Sequence, residues 1–446
     1  MRKAYKEYKA TGIQWLPKIP RHWALRRNKN IFTEHSEVVG SNSNEYDLLS
    51  LTLGGVIRRD LNAGGKFSAT YDKYKIVKKG YMIFCLFDID ETPRTVGLSE
   101  YNGMITGAYT IMEINNINPL YVYFYYLSLD NNKLLKPLYT GLRKTIKANV
   151  FQSVKLPVPP REEQEQIVRF LDWKVSSINK LISIKQQEIT ELMELKKATI
   201  SDAVTHGLDE TTPMKDSGIS WLGSIPQHWK TETLKRVSTL RKQKSYYNKN
   251  KDIFIGLENL KGYSNTLQET STQYESSIQC VCKKGDLLFG KLRPYLSKVI
   301  ICPKDCFCTN ELLVVSFFNG NIKFLMYVFL HESFIDSVNA STYGAKMPRA
   351  NDQYVLNMCI PVPPRNEQDH IVCFLDARCT EIDRLIAAKQ AQITNLHDLK
   401  SILIADVVTG QIDVRDVTIP NYETVHEHAD EAPDTIANSL EAAEEV

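Results

Sequence analysis

The stretch "LPVPPREEQEQIVRFLD", residues 156–172, returns 204 residues later as "IPVPPRNEQDHIVCFLD", residues 360–376. Twelve of the seventeen positions are identical. Pro-Pro suits the first turn of a helix, and Glu162 and Glu163, or Glu367, then fall near the positive end of its dipole. Neither Gly nor Pro interrupts residues 161–204 or 365–408. Apolar residues recur as heptads over both stretches. Val168, Val175, Ile182 and Ile189 form one row, with Leu171, Ile178 and Leu192 in the other. The second copy gives Val372, Cys379, Ile386 and Ile393, then Leu375, Ile382, Leu396 and Leu403. Lys185 and Lys389 interrupt the second row at the same point, a polar position of the kind that fixes register. Two helices of about 44 residues, each roughly 65 Å long, are expected. Stripes of that length bury best against each other, as an antiparallel coiled coil.

Two further pairs extend the repeat. "GIQWLPKIPRHW" at 12–23 matches "GISWLGSIPQHW" at 218–229, and "KKGYMIF" at 78–84 matches "KKGDLLF" at 283–289. One unit of about 205 residues is therefore written twice, a period too long for a solenoid. Between the matches the two copies barely resemble each other. Short runs such as "YMIFCLF", "LLVVSFF" and "KVIIC", broken by Gly, Asn and Pro, read as strands, and "KKG" as a turn before a core strand. Residues 118–135 and 321–338 read as single helices.

The expected fold class is α+β. Two mixed α/β heads, residues 1–155 and 207–359, are separated by the coiled coil of 156–206 and 360–413, with pseudo-twofold symmetry. Residues 414–446 form an acidic tail, expected to be disordered. From Arg415 onward there is one Arg against nine Asp and Glu, which leaves +11 on residues 1–414 out of a net +3 for the chain. A basic body suits a polyanionic partner. No apolar run is long enough to span a membrane, and "MRKAYKEYKATG" lacks a secretory apolar core. An odd count of 9 Cys then suggests reduced thiols in a cytoplasm.

Catalytic signatures are sparse. The sequence contains no phosphate-cradling GxxxxGK[ST] and no GxGxxG following a strand. "NPLY" at 118–121 is similar to a methyltransferase Asn-Pro-Pro-Tyr loop, but Asn118 as helix cap with Pro119 at the first turn explains it better. "ELK" at 194–196 lies in the heptad helix without an upstream Asp pair. Cys280, Cys282, Cys302, Cys306 and Cys308 invite zinc, but their spacing is not that of a zinc ribbon, and alternating Cys on strands more often fill a core. His22 and His228 read as packing beside Trp23 and Trp229. No catalytic residue and no metal ligand is expected.

Basic and aromatic residues beside Gly and Pro are the candidates for DNA contact. In the first head these are Arg58, Arg59, Arg94, Thr106, Tyr109, Arg143, Lys144 and Lys147. The second head offers Arg241, Lys242, Lys244, Tyr246, Lys291, Arg293, Tyr295, Lys298, Lys346 and Arg349. Lys and Arg neutralise phosphates, Arg reads guanine bidentately, and loops allow such contacts to vary.

The twin Trp-led openings, "GDLLFGKLRPYLSKV" at 285–299, and the two "PVPP" helix starts together resemble the DNA-specificity subunit of type I restriction-modification systems, over about residues 8–413. That resemblance implies two target-recognition domains, each reading half of a bipartite asymmetric site, and a helix pair that sets the gap. It implies docking of two modification (methyltransferase) subunits and of restriction (translocase-nuclease) subunits. Adenosylmethionine, ATP and magnesium would belong to those partners, leaving this chain non-catalytic and without a cofactor. "GYMIFCLFDID" lacks the "KLRPYL" of the second head, so the two heads should contact DNA through different residues. A self-contained methyltransferase or nuclease, and a protein-protein adaptor, are the alternatives.

Overall fold

The computed structural model describes residues 3–59, 70–139, 144–270, 272, 274–344 and 347–425. The chain divides into two compact units: Met1–Gln186 with Gln390–Val446, and Gln187–Lys389. Two uninterrupted helices, Arg161–His206 and Arg365–Val408, each give one half to each unit.

Within unit 1 the halves run antiparallel. Val168 and Leu171 share a core with Ile404, Val407 and Val408, and Lys400 Nζ lies 3.2 Å from Asn179 Oδ1. Within unit 2, Ile200, Ala203 and Val204 pack with Val372, Leu375 and Cys379, and Lys196 pairs with Asp383. The heptad residues of both rows are buried or half-buried. Lys389, which breaks its row, places Nζ 2.6 Å from Glu188.

Both heads are built on the same antiparallel sheet. In unit 1 the strand order is Phe32–His35, Thr110–Ile114, Met82–Phe84, Val96–Leu98. In unit 2 it is Ser238–Leu240, Leu312–Phe318, Leu287–Gly290, Val299–Ile301. Strand alternation sends successive side chains to opposite faces. Leu287, Phe289, Leu313 and Val315 enter the core shared with the long helices, while Leu288, Leu312 and Val314 face a second layer. Met82, Phe84 and Met112 are divided from Ile83, Cys85 and Ile111 in the same way. Gly80 and Gly285 adopt φ of 89° and 92° in the turns that lead into the matched core strands, which glycine does without strain.

The repeated helix start fastens head to helix. Glu163 accepts from Trp23 Nε1 at 3.0 Å and from the Tyr5 hydroxyl, and its other oxygen lies 2.8 Å from His22 Nε2. Glu367 repeats this with Trp229 Nε1 at 2.8 Å and His228 Nε2 at 2.7 Å. The next residue, Gln164, accepts from Asn118 N at 2.9 Å and donates to Pro159 O at 2.8 Å. Gln368 does the same with Asn321 N at 2.8 Å and Pro363 O at 2.9 Å. Asn118 and Asn321 cap the head helices that follow them. The Glu-Gln pair after Pro-Pro is therefore a two-point clamp, made once per unit.

Two elements differ from expectation. Residues 321–338 form two helices, Ile322–Phe329 and Glu332–Ala340, because His331 turns extended between them. The break lets Phe334, Ile335 and Val338 bury, with Phe334 5.2 Å from Trp221 ring to ring. The disorder expected from residue 414 is not found over residues 414–425, and the rest of the tail, 426–446, lies outside the described residues. Val414 is fully buried, Gln166 Nε2 donates to Val414 O and Val417 O, and Asn179 Nδ2 donates to Val425 O. Among the described residues no helix is long and apolar enough to cross a membrane.

Candidate nucleic-acid interface

What distinguishes the heads is the second layer over the shared sheet. Unit 1 carries the hairpin Leu49–Thr52 and Gly55–Arg58 and the pair Lys75–Val77 and Gly103–Ile105. Unit 2 carries a four-stranded sheet in the order Lys244–Tyr247, Ser277–Cys282, Cys306–Cys308, Phe254–Ile255. A common frame thus presents two different outer surfaces.

In unit 1, Arg58 ends the hairpin with its side chain 60% exposed, 3.1 Å from Asp47 and stacked over Tyr101 at 4.8 Å. Arg59 is half-buried, and Lys147 is exposed at the start of a short helix. Lys144 pairs with Glu91, which raises its pKa. Three sequence candidates are framework instead. Arg94 spends its guanidinium on buried Asp130 at 3.0 Å and on Asn131 at 2.9 Å. Thr106 and Tyr109 are buried, Tyr109 only 2% exposed within the core under the hairpin. A side chain so enclosed offers no surface to a duplex. Arg143 lies outside the described residues.

In unit 2, Lys244 and Tyr246 project from a strand rather than the expected loop, and Tyr246 is 63% exposed. Lys242 precedes them, also exposed. Arg293 is exposed and holds a left-handed φ of 52°, opening a single 3-10 turn, Pro294–Leu296, that carries exposed Tyr295. Left-handed backbone at a non-glycine residue costs on the order of 1–2 kcal/mol and concentrates at functional positions. Four other candidates are engaged within the head. Arg241 grips Asp286 bidentately at 2.6 and 2.9 Å, a contact that raises its pKa. Lys298 donates to Leu257 O at 2.7 Å, Lys291 lies 3.0 Å from Asp352, and Arg349 pairs with Glu311. Lys346 lies outside the described residues.

A model of the type I restriction modification DNA specificity domain matches residues 45–192 and 226–395, more than two thirds of the chain. The chain belongs to this DNA-specificity family. The specificity subunit of the MjaVIII type I restriction enzyme of Methanocaldococcus jannaschii is 26% identical over 335 residues, spanning 71% of this chain and 76% of the relative. The EcoDI specificity subunit of Escherichia coli is 21% identical over 281 residues, 58% of this chain and 62% of that one. A solved structure described as the basis of complex assembly and conformational transition of the type I R-M system shares the fold. It aligns with a TM-score of 0.61 at 13% identity, covering 88% of this chain and 99% of that chain.

In this specificity-family chain the clamp residues Glu163, Glu367, Gln164 and Gln368 were missed by residue-type reasoning, which placed His22 and His228 beside tryptophans only. The signal was present as co-repetition: His-Trp and Pro-Pro-x-x-Glu-Gln recur together at nearly one offset. Among the described residues no group of three His, Cys, Asp or Glu side chains is placed to hold a metal ion.

Proposed function

We propose that this specificity-family chain is the non-catalytic reader of a type I restriction-modification complex, with each unit reading one half of a bipartite asymmetric DNA site. One observation carries this: the same four-stranded sheet and the same clamp occur twice, beneath outer layers that differ in strand pairing and side chains, two two-stranded pairs in one and a single four-stranded sheet in the other. Identical frames with different readers suit a site whose halves differ. In this reading the paired helices set the number of unread base pairs and dock the methyltransferase subunits, and restriction subunits join them. Adenosylmethionine, ATP and magnesium act on those partners.

The test is the methylome of cells carrying the intact system, with footprinting of the purified complex. Two dissimilar half-sites at one fixed spacing are expected, and exchanging the outer layer of unit 2 should change one half only. A continuous site or a palindrome would overturn the reading. Binding independent of salt would favour a protein-protein adaptor, since phosphate contacts release counterions. Adenosylmethionine bound by the isolated chain would favour a self-contained methyltransferase.

A further inference from the structure

Five cysteines of unit 2 gather where its outer sheet meets its inner one. Cys280 stands opposite Cys308 and Cys282 opposite Cys306 on adjacent antiparallel strands. Residues two apart on a strand share a face, so these four thiols line one side of the sheet. Cys302 closes the group, its Sγ 3.3 Å from Cys306 Sγ. Cys282, Cys302, Cys306 and Cys308 are buried, and Cys280 is half-exposed.

Cys280 stands at the boundary of this cluster. Its other cross-strand neighbour is Lys244, and the next pair outward on the same face is Tyr246 and Ile278, 63% and 67% exposed. The Asn310 side chain lies 3.1 Å from its sulfur. Hydrogen bonding from the Cys308 thiol, with Lys244 and Lys291 adding positive charge, pulls the Cys280 pKa down to about 6 against the opposing effect of burial. A partly exposed thiol paired across adjacent strands with a buried one is the arrangement of a reactive and a resolving cysteine.

We propose that Cys280 is a hydroperoxide-reactive thiol and that Cys308 resolves it into a cross-strand disulfide. The Cys280 thiolate attacks one peroxide oxygen, the O–O bond breaks, and the leaving hydroxide takes a proton as water. The Cys308 sulfur then attacks the Cys280 sulfenic sulfur, and the departing hydroxide takes the Cys308 proton. Two thiols and one hydrogen peroxide become one disulfide and two waters. The two sulfurs lose two electrons and the peroxide gains them. Because Lys244 and Tyr246 flank Cys280, closing the bond perturbs the unit 2 surface assigned to DNA. That consequence rests on the proposed reading; the thiol chemistry does not.

The complex is treated with substoichiometric hydrogen peroxide and its peptides are mapped under non-reducing conditions. Cys280 should oxidise about tenfold faster than exposed Cys373. The product should be a Cys280–Cys308 link. In Cys308→Ser, Cys280 should remain as a sulfenic acid captured by dimedone, and Cys280→Ser should leave the cluster reduced at that dose. A Cys302–Cys306 link appearing first, or oxidation of the cluster undiminished in Cys280→Ser, overturns the proposal. Wild-type affinity for the DNA site should fall at least fivefold on oxidation, the scale of one mismatched base pair, and return with reductant. Link formation with unchanged affinity keeps the chemistry and counts against this face as a DNA reader.

Discussion

Lys196 and Asp383 meet across the helix pair of unit 2, Nζ lying 2.7 and 2.8 Å from the two carboxylate oxygens. The positions 204 residues away are Lys400 and Asn179, which meet at 3.2 Å in unit 1. The duplicated register therefore uses one contact twice, once as an ion pair and once with a neutral acceptor. Lys196 also donates to Tyr263 O at 2.9 Å, and its side chain is only 8% exposed. Asp383→Asn should destabilise unit 2 by about 1–3 kcal/mol, because a buried ammonium loses its counterion. Asn179→Asp gains an ion pair with Lys400 but loses the Nδ2 donor to Val425 O, so the net change should stay within about 1 kcal/mol and depend on salt. Urea midpoints at low and high salt check both. A neutral Asp383→Asn would mean that the Tyr263 carbonyl alone satisfies Lys196.

The two clamps should differ in strength. Glu163 is 5% exposed and holds Trp23, His22 and Tyr5, whereas Glu367 is 34% exposed and holds Trp229 and His228. Glu163→Ala leaves two buried donors, Tyr5 and Trp23, unmet and should cost about 2–4 kcal/mol. Glu367→Ala should cost about 1–2 kcal/mol, since it strands one buried donor, Trp229, while water reaches His228. Equal losses in denaturant titrations would show that the Tyr5 contact contributes nothing.

The spacer was legible because its signals are local and repeated. Val168 and Leu171, spaced as a heptad, fell on the buried seam, and the absence of Gly and Pro marked the helices' extent. The shared sheet was legible only in part, at the matched strands that follow each Lys-Lys-Gly. Met82–Phe84 and Leu287–Gly290 occupy the same place in it, but the strands around them share only buried, β-prone character. Contact residues were least legible of all. Lys244 and Arg241 belong to one basic run, and only tertiary structure shows that one is exposed while the other grips Asp286. Tyr109 shows the same limit: an aromatic beside glycine is as readily a core residue as a reader.

His331 makes unit 2 acid-sensitive. It is 6% exposed, Nδ1 is buried with no hydrogen-bond partner among the described residues, and the ring lies 5.3 Å from Trp221. Burial, reinforced by repulsion from His206, lowers its pKa from 6.5 to about 4. The unfolded chain therefore binds the proton more readily, so stability is complete above pH 6.5 and is lost as pH falls towards 4. The loss attributable to His331 should reach up to about 3 kcal/mol. In His331→Phe the urea midpoint should fall less between pH 7.5 and pH 5 than in wild type. An unchanged difference would mean that His331 is not the titrating group.

The C-terminal segment divides into a structural and a dispensable part. Ending the chain after Val425 keeps buried Val414 and both Gln166 contacts and should leave unit 1 stability unchanged within about 0.5 kcal/mol. Ending it after Asp413 removes Val414 and strips Gln166 of two acceptors, which should cost about 2–4 kcal/mol. Thermal melts of the two truncations separate these outcomes. An equal loss from both would place stabilising contacts beyond Val425.

In the proposed reading, salt separates DNA contacts in unit 2 from framework. Lys244 is exposed beside Tyr246, so Lys244→Gln should weaken binding to all sequences alike and reduce the slope of log affinity against log salt by about 1. In the proposed reading, Arg293, held left-handed at the start of its turn, reads a base edge. Arg293→Ala should cost about 1–3 kcal/mol and relax preference at one position of a single half-site. Arg241→Ala is the control: it breaks the Asp286 grip, so it should lower unit 2 stability while leaving the salt slope and base preference of the folded fraction intact. If Arg241→Ala alters the slope as Lys244→Gln does, the line between reader and frame lies elsewhere in this head. If neither Lys244 nor Arg293 matters, the outer sheet of unit 2 does not face the duplex.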